Sequence, residues 1–353
     1  MSNIKVTSLI KTFGGANVID DVSFTVAPGE ILVILGASGC GKTTTLRCIS
    51  GLEQPTSGSI VIDGKTMFDA NVNIPPEHRH LGMMFQSYAL WPHKTVYGNI
   101  AYGLGKLSDD EKRRKVRDAL ALVGLSGTED RYPSTLSGGQ QQRIALARSA
   151  AARPKVILLD EPLSNLDAKL REQMRNELRK LIKELNMTAV YITHDQSEAM
   201  ALADKIIFMK NGKIEQEAAP RTIYARPATR AVAEFIGSAT FLNGTMTENA
   251  AEGATIDLGN GFKLSSSLPL SASKGAAQVA IRPERVKLSR APTGSPNEVR
   301  GQVANLIYLG EHTEYAIDVG PTRIVSRSQL ELEPGANVFV RVAPEDVIPM
   351  PAN

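Results

Sequence analysis

Eight residues, GASGCGKT at 36–43, carry the plainest chemistry in the chain. They fit the spacing G-x-x-x-x-G-K-[ST] and directly follow the apolar run ILVIL, so they read as a loop between a buried strand and a helix. The glycines let the backbone curl until several N–H groups face one point, where the phosphates of a nucleoside triphosphate fit. Gly36, Ala37, Ser38, Gly39, Cys40, Gly41, Lys42, Thr43 and Thr44 are the candidate cradle for ATP. Lys42 adds a point charge on the β- and γ-phosphate oxygens, and Thr43 offers a hydroxyl to Mg2+. Cys40 is expected to contribute a backbone N–H and no thiol chemistry, with an accessible thiol open to alkylation as the alternative. VILLDEP at 156–162 supplies the counterpart. Asp160 ends a second apolar run, where an open α/β sheet places its ligand, and is expected to orient the Mg2+ shell. Glu161 follows, and a carboxylate there can polarise the attacking water; general-base help is worth ~10²–10⁴ in rate. Gln86 and His194 also end apolar runs, LGMMF and AVYIT. If these strands are parallel neighbours, Lys42, Gln86, Asp160, Glu161 and His194 converge on one edge. Gln86 would then ligate Mg2+ or hold the water, and His194 would touch the γ-phosphate and steady Glu161.

A second anion grip lies a hundred residues on. LSGGQQQR at 136–143 reads as a turn and a helix start carrying Ser137 and two glycines. Free N–H groups and the positive end of the helix dipole would face outward there. The first loop already satisfies the phosphates of the chain's own nucleotide. A second chain, turned by a two-fold axis, could place this helix start over the γ-phosphate instead. The alternative is a capped helix that merely begins Ser-Gly-Gly.

The elements that must position these groups are legible as periodicities. ILVILG, LGMMFQ, VILLD and AVYIT are continuous apolar runs, which suit strands covered by helices on both faces of a parallel sheet. AKLREQMRNELRKLIKEL is amphipathic, with Leu170, Met174, Leu178, Leu181, Ile182 and Leu185 on one face. IKVTSLIKTF and VSFTV read as an antiparallel flank. After FIGSATFLNG the character changes to short alternating stretches punctuated by Gly, Pro and Asn, the pattern of a small β-barrel. The expectation is two domains: an α/β phosphate-loop domain over 1–236, with a parallel core, an antiparallel flank and a helical subdomain, then an all-β barrel over 237–353. A chain of 353 residues also exceeds one ordinary core.

Composition removes several classes. A net charge of +3 with no long basic stripe gives no case for nucleic acid, and EKRRKVR reads as a solvated helix face. Two cysteines, Cys40 and Cys48, make no disulfide framework and fit a reducing compartment. No apolar run approaches the ~20 residues that span a bilayer, and the start lacks the apolar core of a secretory signal. The expectation is a cytoplasmic chain that reaches a membrane only by docking to other subunits.

Taken in order, GASGCGKT, LSGGQ, VILLDEP, SNLD and ITHD resemble the ATP-binding cassette (ABC) ATPases across the whole first domain. The resemblance implies that Ser137, Gly139 and Gln140 contact ATP bound to an opposite subunit, and that Asp167 couples the two sites. Phe13 sits where the family has an aromatic that stacks on adenine, usually Tyr; the residues alone favour a core position for it. AIRPERVKLS and GQVANLIYLGEHTEYAIDVG resemble the transport-associated OB (TOBE) domain of importer ATPases for sugars, polyamines, ferric iron and related solutes. FQSYALWPHKTVYGNIAYGLG at 85–105 resembles the segment that receives a short permease helix. Trp91, Pro92 and His93 are the exposed-looking candidates for that contact, the alternative being that Trp91 packs within the helical subdomain.

The resemblance therefore implies a homodimeric ATPase on the cytoplasmic face of the inner membrane. It would bind ATP and Mg2+, dock to permease subunits and serve, through them, a periplasmic or extracellular solute-binding protein. The segment 85–105 leans toward ferric iron or polyamine as solute; sugar or phosphonate import is the alternative. A soluble cassette protein of repair or translation would need a coiled-coil insertion or a second cassette, and neither is present. An ATP-gated signalling module is the remaining rival, and the intact Glu161 and His194 speak against it.

Overall fold

The structure, a computed structural model, describes residues 3–250, 253–259, 262–268 and 275–351. Contacts divide the chain into two compact units, Met1–Pro220 and Arg221–Asn353.

The first unit contains two sheets. In chain order its elements are β1 (Ile4–Phe13), β2 (Ala16–Val26), β3 (Ile31–Leu35), α1 (Lys42–Ser50), β4 (Ser57–Ile62), β5 (Lys65–Phe68), β6 (Gly82–Met84), α2 (Val96–Ala101), α3 (Asp109–Leu122), α4 (Gly138–Ala151), β7 (Val156–Asp160), α5 (Ala168–Glu184), β8 (Thr188–Thr193), α6 (Gln196–Leu202), β9 (Lys205–Lys210) and β10 (Lys213–Ala218). The antiparallel sheet runs β2-β1-β4-β5, and the larger sheet runs β10-β9-β3-β8-β7-β6. From β9 to β6 every pairing in the larger sheet is parallel. The apolar runs explain this placement: all residues of β3, β7 and β8 are buried, as strands covered on both faces require. One core joins inward residues of both sheets with Leu46, Cys48 and Ile49 of α1.

Register then positions the chemistry. Leu35 pairs with Thr193, Asp160 with Ile192, and Met84 with Leu159. The carboxyl ends of β3, β8, β7 and β6 therefore form one edge, and the residues that follow or end them are Gly36, His194, Asp160 with Glu161, and Phe85 with Gln86. On α5, Met174, Leu178, Leu181 and Ile182 are buried, while Leu170 packs partly buried against Leu163 and Leu166. On α3, the EKRRKVR face is solvated: Arg113, Arg114 and Arg117 are exposed and Val116, Ala119 and Leu120 point inward.

The second unit opens with α7 (Pro220–Ala225) and α8 (Arg230–Phe235), followed by β11 (Thr240–Ala250), β12 (Gly253–Asp257), β13 (Lys263–Ser266), β14 (Gly275–Ile281), β15 (Val286–Ser289), β16 (Glu298–Tyr308), β17 (Thr313–Val319), β18 (Thr322–Ser328), β19 (Asn337–Val342) and β20 (Val347–Pro351). Two five-stranded antiparallel sheets, β13-β12-β11-β14-β20 and β15-β19-β16-β17-β18, enclose one apolar core. This is the all-β architecture that the alternating stretches imply, and it agrees with the OB-like fold that the resemblance implies. Arg282 is 2% exposed and donates to the carbonyls of Ala233, Ser238 and Tyr224, so α7 and α8 are tied to the end of β14.

Candidate nucleotide site

The phosphate loop leaves β3 at Gly36 and enters α1 at Lys42. Glycine is required at position 41, the N-cap of α1, where φ is 104° and a Cβ would stand 2.6 Å from Val18 O. No side chain caps α1, so its first N–H groups stay free for an anion. Lys42 is 5% exposed and donates from Nζ to Gly36 O at 2.8 Å and Ala37 O at 2.9 Å. The ammonium is thus already aimed into the loop. Cys40 differs from expectation. Its N–H donates to Ala37 O at 3.3 Å and its side chain is buried beneath Gly36, so neither a free N–H nor an accessible thiol is presented. The tight turn at 37–40 is the reason. Cys48 is fully buried in α1, and burial pushes its thiol up to about 12.

Thr43 Oγ1 donates to Asp160 Oδ1 at 3.1 Å. Asp160 is buried, and desolvation raises its carboxyl above the usual range, opposed by the Thr43 hydrogen bond. A desolvated carboxylate beside a hydroxyl is a hard oxygen pair that suits Mg2+. Among the described residues no cluster of three or more His, Cys, Asp or Glu could hold a metal.

Glu161 is held from two sides. Gln86 Nε2 donates to its Oε2 at 3.3 Å, and His194 Nδ1 lies 3.2 Å from the same oxygen. The hydrogen bonding thus places the Gln86 amide on Glu161. Glu161 has φ of 46°, a left-handed backbone that costs a non-glycine residue roughly 1–3 kcal/mol. Its N–H donates to Ile192 O at 3.1 Å and its carbonyl accepts from Ser164 Oγ at 3.0 Å, which fixes the turn. Asn165 Nδ2 donates to Gln86 O at 3.4 Å, so the SNLD segment touches the loop after β6. Asp167 caps α5 by accepting from Leu170 N at 3.0 Å.

Ser137 caps α4 in a reciprocal box: its Oγ accepts from Gln140 N, and the Gln140 side chain accepts from Ser137 N. Gln141 N–H is engaged by Ser137 O, leaving the N–H groups of Gly138 and Gly139 as the orphan donors of the first turn. Gly139 is buried, and a Cβ on it would meet Leu170 Cδ2 at 2.5 Å; only its backbone is available to an anion. Phe13 is 45% exposed, with Lys11 Nζ 4.5 Å from its ring centroid, so the expected core position is not realised. The inside–outside alternation of β1 lapses toward its end, leaving that side chain at the surface. Pro92 and His93 are exposed, but Trp91 is only half-exposed, stacked 4.5 Å from the Tyr102 ring and 5.3 Å from the Arg148 guanidinium.

One network was not expected. Arg171 of α5 reaches Leu166 O at 2.8 Å and Asp195 Oδ2 at 3.3 Å. Asp195 in turn caps α6 through Ser197 N and Glu198 N. Buried Glu198 accepts from Tyr191 Oη at 2.7 Å, and burial raises its carboxyl. The SNLD segment is thereby joined to the residue after His194. The cap pattern D-x-x-E at 195–198 was visible in the sequence; the reach of Arg171 was not.

A glycine cradle entering a helix, with a carboxylate at the end of β7, two strands along the same sheet edge, places the first unit among the phosphate-loop ATPases. Comparison with known proteins narrows this. Residues 19–164 match the ABC transporter family and residues 279–350 match the TOBE domain. The chain is 43% identical over 341 residues to the spermidine/putrescine import ATP-binding protein PotA of Rubrobacter xylanophilus, covering 94% of this chain and 88% of that protein. It is 44% identical over 320 residues to the Fe(3+) ions import ATP-binding protein FbpC 1 of Rhizobium meliloti, covering 88% and 86%. A bacterial ABC transporter cassette, solved as a dimer, is 33% identical with a TM-score of 0.56, covering 62% of this chain and 99% of that one. The same cassette has been solved bound to ADP and Pi in a post-hydrolysis state. The chain belongs to the ABC import ATP-binding family and is an ATP-binding ATPase with a C-terminal TOBE domain.

Proposed function

We propose that two copies of this chain clamp two ATP molecules and drive solute import through a membrane permease. The observation that carries the reading is Glu161, gripped by Gln86 and His194 beside the pair of Thr43 and buried Asp160 at a single sheet edge. Within one copy, the loop 36–44 and Lys42 would hold the phosphates and Phe13 would stack on adenine. Thr43 and Asp160 would hold Mg2+, with the Gln86 side-chain oxygen as a further candidate ligand; when bound, the ion supplies charge neutralisation at the phosphate oxygens. Glu161 would take a proton from the attacking water, with Gln86 and His194 fixing the carboxylate. Ser137 retains its hydroxyl proton to donate while its oxygen accepts from Gln140 N; this hydroxyl and the orphan N–H groups of Gly138 and Gly139 would meet the γ-phosphate of the other copy, with Gln140 beside them. Asp167 and the SNLD turn would link the two sites. Charge-assisted hydrogen bonds of roughly 1.5–3 kcal/mol each from both copies would favour the closed pair, and hydrolysis would remove them.

The permease would dock on 85–105, around Pro92, His93 and the exposed side of Trp91, and the chain would be peripheral on the cytoplasmic face. Among the described residues no helix is long and apolar enough to cross a membrane. The β unit, expected from 237 by sequence and beginning at Arg221 by contacts, would have its own regulatory role. Ferric iron or a polyamine is the proposed solute, following the cargoes named for FbpC and PotA; a solute-binding protein would deliver it. Glu161→Gln tests the chemistry. Nucleotide binding should persist while kcat falls by about 10²–10⁴, and turnover at the normal rate would remove Glu161 as the base.

A further inference from the structure

The loop that leaves β6 is strained where hydrolysis needs it fixed. Tyr88 and Ala89, just after Gln86, both have left-handed backbones, with φ of 62° and 47°. That conformation disfavours a non-glycine residue by roughly five- to thirty-fold. Two in succession persist only where the surroundings hold them. Arg148, in the last turn of α4, does so: its Nη1 donates to Ala89 O at 2.6 Å and its Nη2 to Tyr88 O at 2.7 Å. The two carbonyls it grips belong to the two strained residues. Next along α4, Ser149 Oγ donates to Met83 O at 2.8 Å, so the helix is also anchored to β6 itself. From Ser137 to Arg148 the helix runs roughly 16 Å at the standard rise. One helix thus carries the outward-facing Ser-Gly-Gly turn at its start and the fork on the Gln86 loop at its end.

We propose that Arg148 is a positioning residue for ATP hydrolysis: its fork holds Tyr88 and Ala89 left-handed, and so keeps the Gln86 amide on Glu161. This rests on the reading of Gln86 and Glu161 given above. Lysine is a poor substitute, because a single ammonium lacks the planar pair of donors that fits two adjacent carbonyls.

The test is steady-state hydrolysis by the full chain at saturating Mg·ATP, at a temperature where circular dichroism shows each variant folded. Arg148→Ala and the milder Arg148→Lys should lower kcat by about tenfold, the order of one left-handed preference, with the half-saturating ATP concentration moved less than about twofold. Ala89→Gly added to either variant should restore at least about threefold, because glycine adopts the left-handed form without a Cβ clash. Ser87→Gly, which adds flexibility outside the left-handed pair, should restore nothing. A purely structural Arg148 would lower melting temperature alone, and glycine at 89 would not return kcat. Unchanged kcat in folded Arg148→Lys and Arg148→Ala, or equal rescue by Ser87→Gly, overturns the proposal. Gln86→Ala separates the layers. If it leaves kcat intact, the reading of the site fails; if it lowers kcat while Arg148 variants do not, only the clamp fails.

Discussion

Two helix starts in the first unit are built for anions in opposite ways. At α1 the N-cap is a left-handed glycine with no capping side chain, and Lys42 is buried against the loop. At α4 the N-cap is an exposed serine in a closed capping box, with no cation in the first turn. The first is incomplete without a ligand, since its own chain leaves the N–H groups bare and aims an ammonium among them. The second is closed by its own side chains and leaves two N–H groups, those of exposed Gly138 and buried Gly139, without a partner in the helix. The difference fits the proposed division of labour, in which the first grip would hold a nucleotide and the second would close over one held by another copy. A loop that must bind first is shaped around the phosphate, whereas a surface that meets it later must survive unliganded.

Substitutions can break that contrast, and the largest effect belongs to the first grip. Lys42→Ala should cut kcat/KM for ATP by about 10²–10³, the loss typical of a preorganised donor to developing charge, while the fold survives because α1 keeps its buried face. Ser137→Asp should act on hydrolysis without touching stability. Aspartate caps a helix as well as serine does, so the melting temperature should hold. Its charge against a phosphate should lower the rate by roughly 10- to 10²-fold, the worth of one charge-assisted hydrogen bond. Full activity in Ser137→Asp would reduce α4 to an ordinary capped helix.

A smaller effect concerns stability and pH. Burial raises the Asp160 carboxyl above its ordinary 3.8, so the folded chain holds that proton more tightly than the unfolded chain. Stability from this group is therefore greatest at low pH and declines as pH rises from about 3.8 through the raised value. Asp160→Asn should remove that decline and melt higher than the parent at pH 7 without nucleotide, yet gain less from Mg·ATP. Thermal melts across pH check both signs. The smallest effect is Gly138→Ala. Position 138 is open, with nothing within 4 Å of a Cβ, so the helix should gain a few tenths of a kcal/mol to about 1 kcal/mol. The melting temperature should rise slightly while hydrolysis falls if the outer face of the turn meets a second chain.

Much of this edge was readable before the structure. Gln86, Glu161 and His194 each follow an apolar run that suits a doubly covered strand, and they come together because β6, β7 and β8 are parallel neighbours. The order itself, with β8 between β3 and β7, has no local signature, because pairing depends on tertiary packing. Long cationic side chains were harder still. Arg148 and Arg171 sit on helix faces where a sequence pattern reads solvated charge, yet Arg148 reaches the distant carbonyls of Tyr88 and Ala89, and Arg171 reaches the Asp195 carboxylate beyond the next strand. Residue type alone favours a core position for Phe13, which its exposure does not bear out, because hydrophobicity does not say where a strand's alternation ends. Trp91 fits both readings in part, since one side is stacked and the rest is open.

The account stands or falls on whether the two grips, one from each of two chains, share a nucleotide. Sedimentation velocity of Glu161→Gln at saturating Mg·ATP measures this directly. The expected result is a species of twice the chain's mass, which reverts to one chain when Ser137→Asp is added. A single-chain species throughout, at concentrations where nucleotide binding is complete, would contradict it.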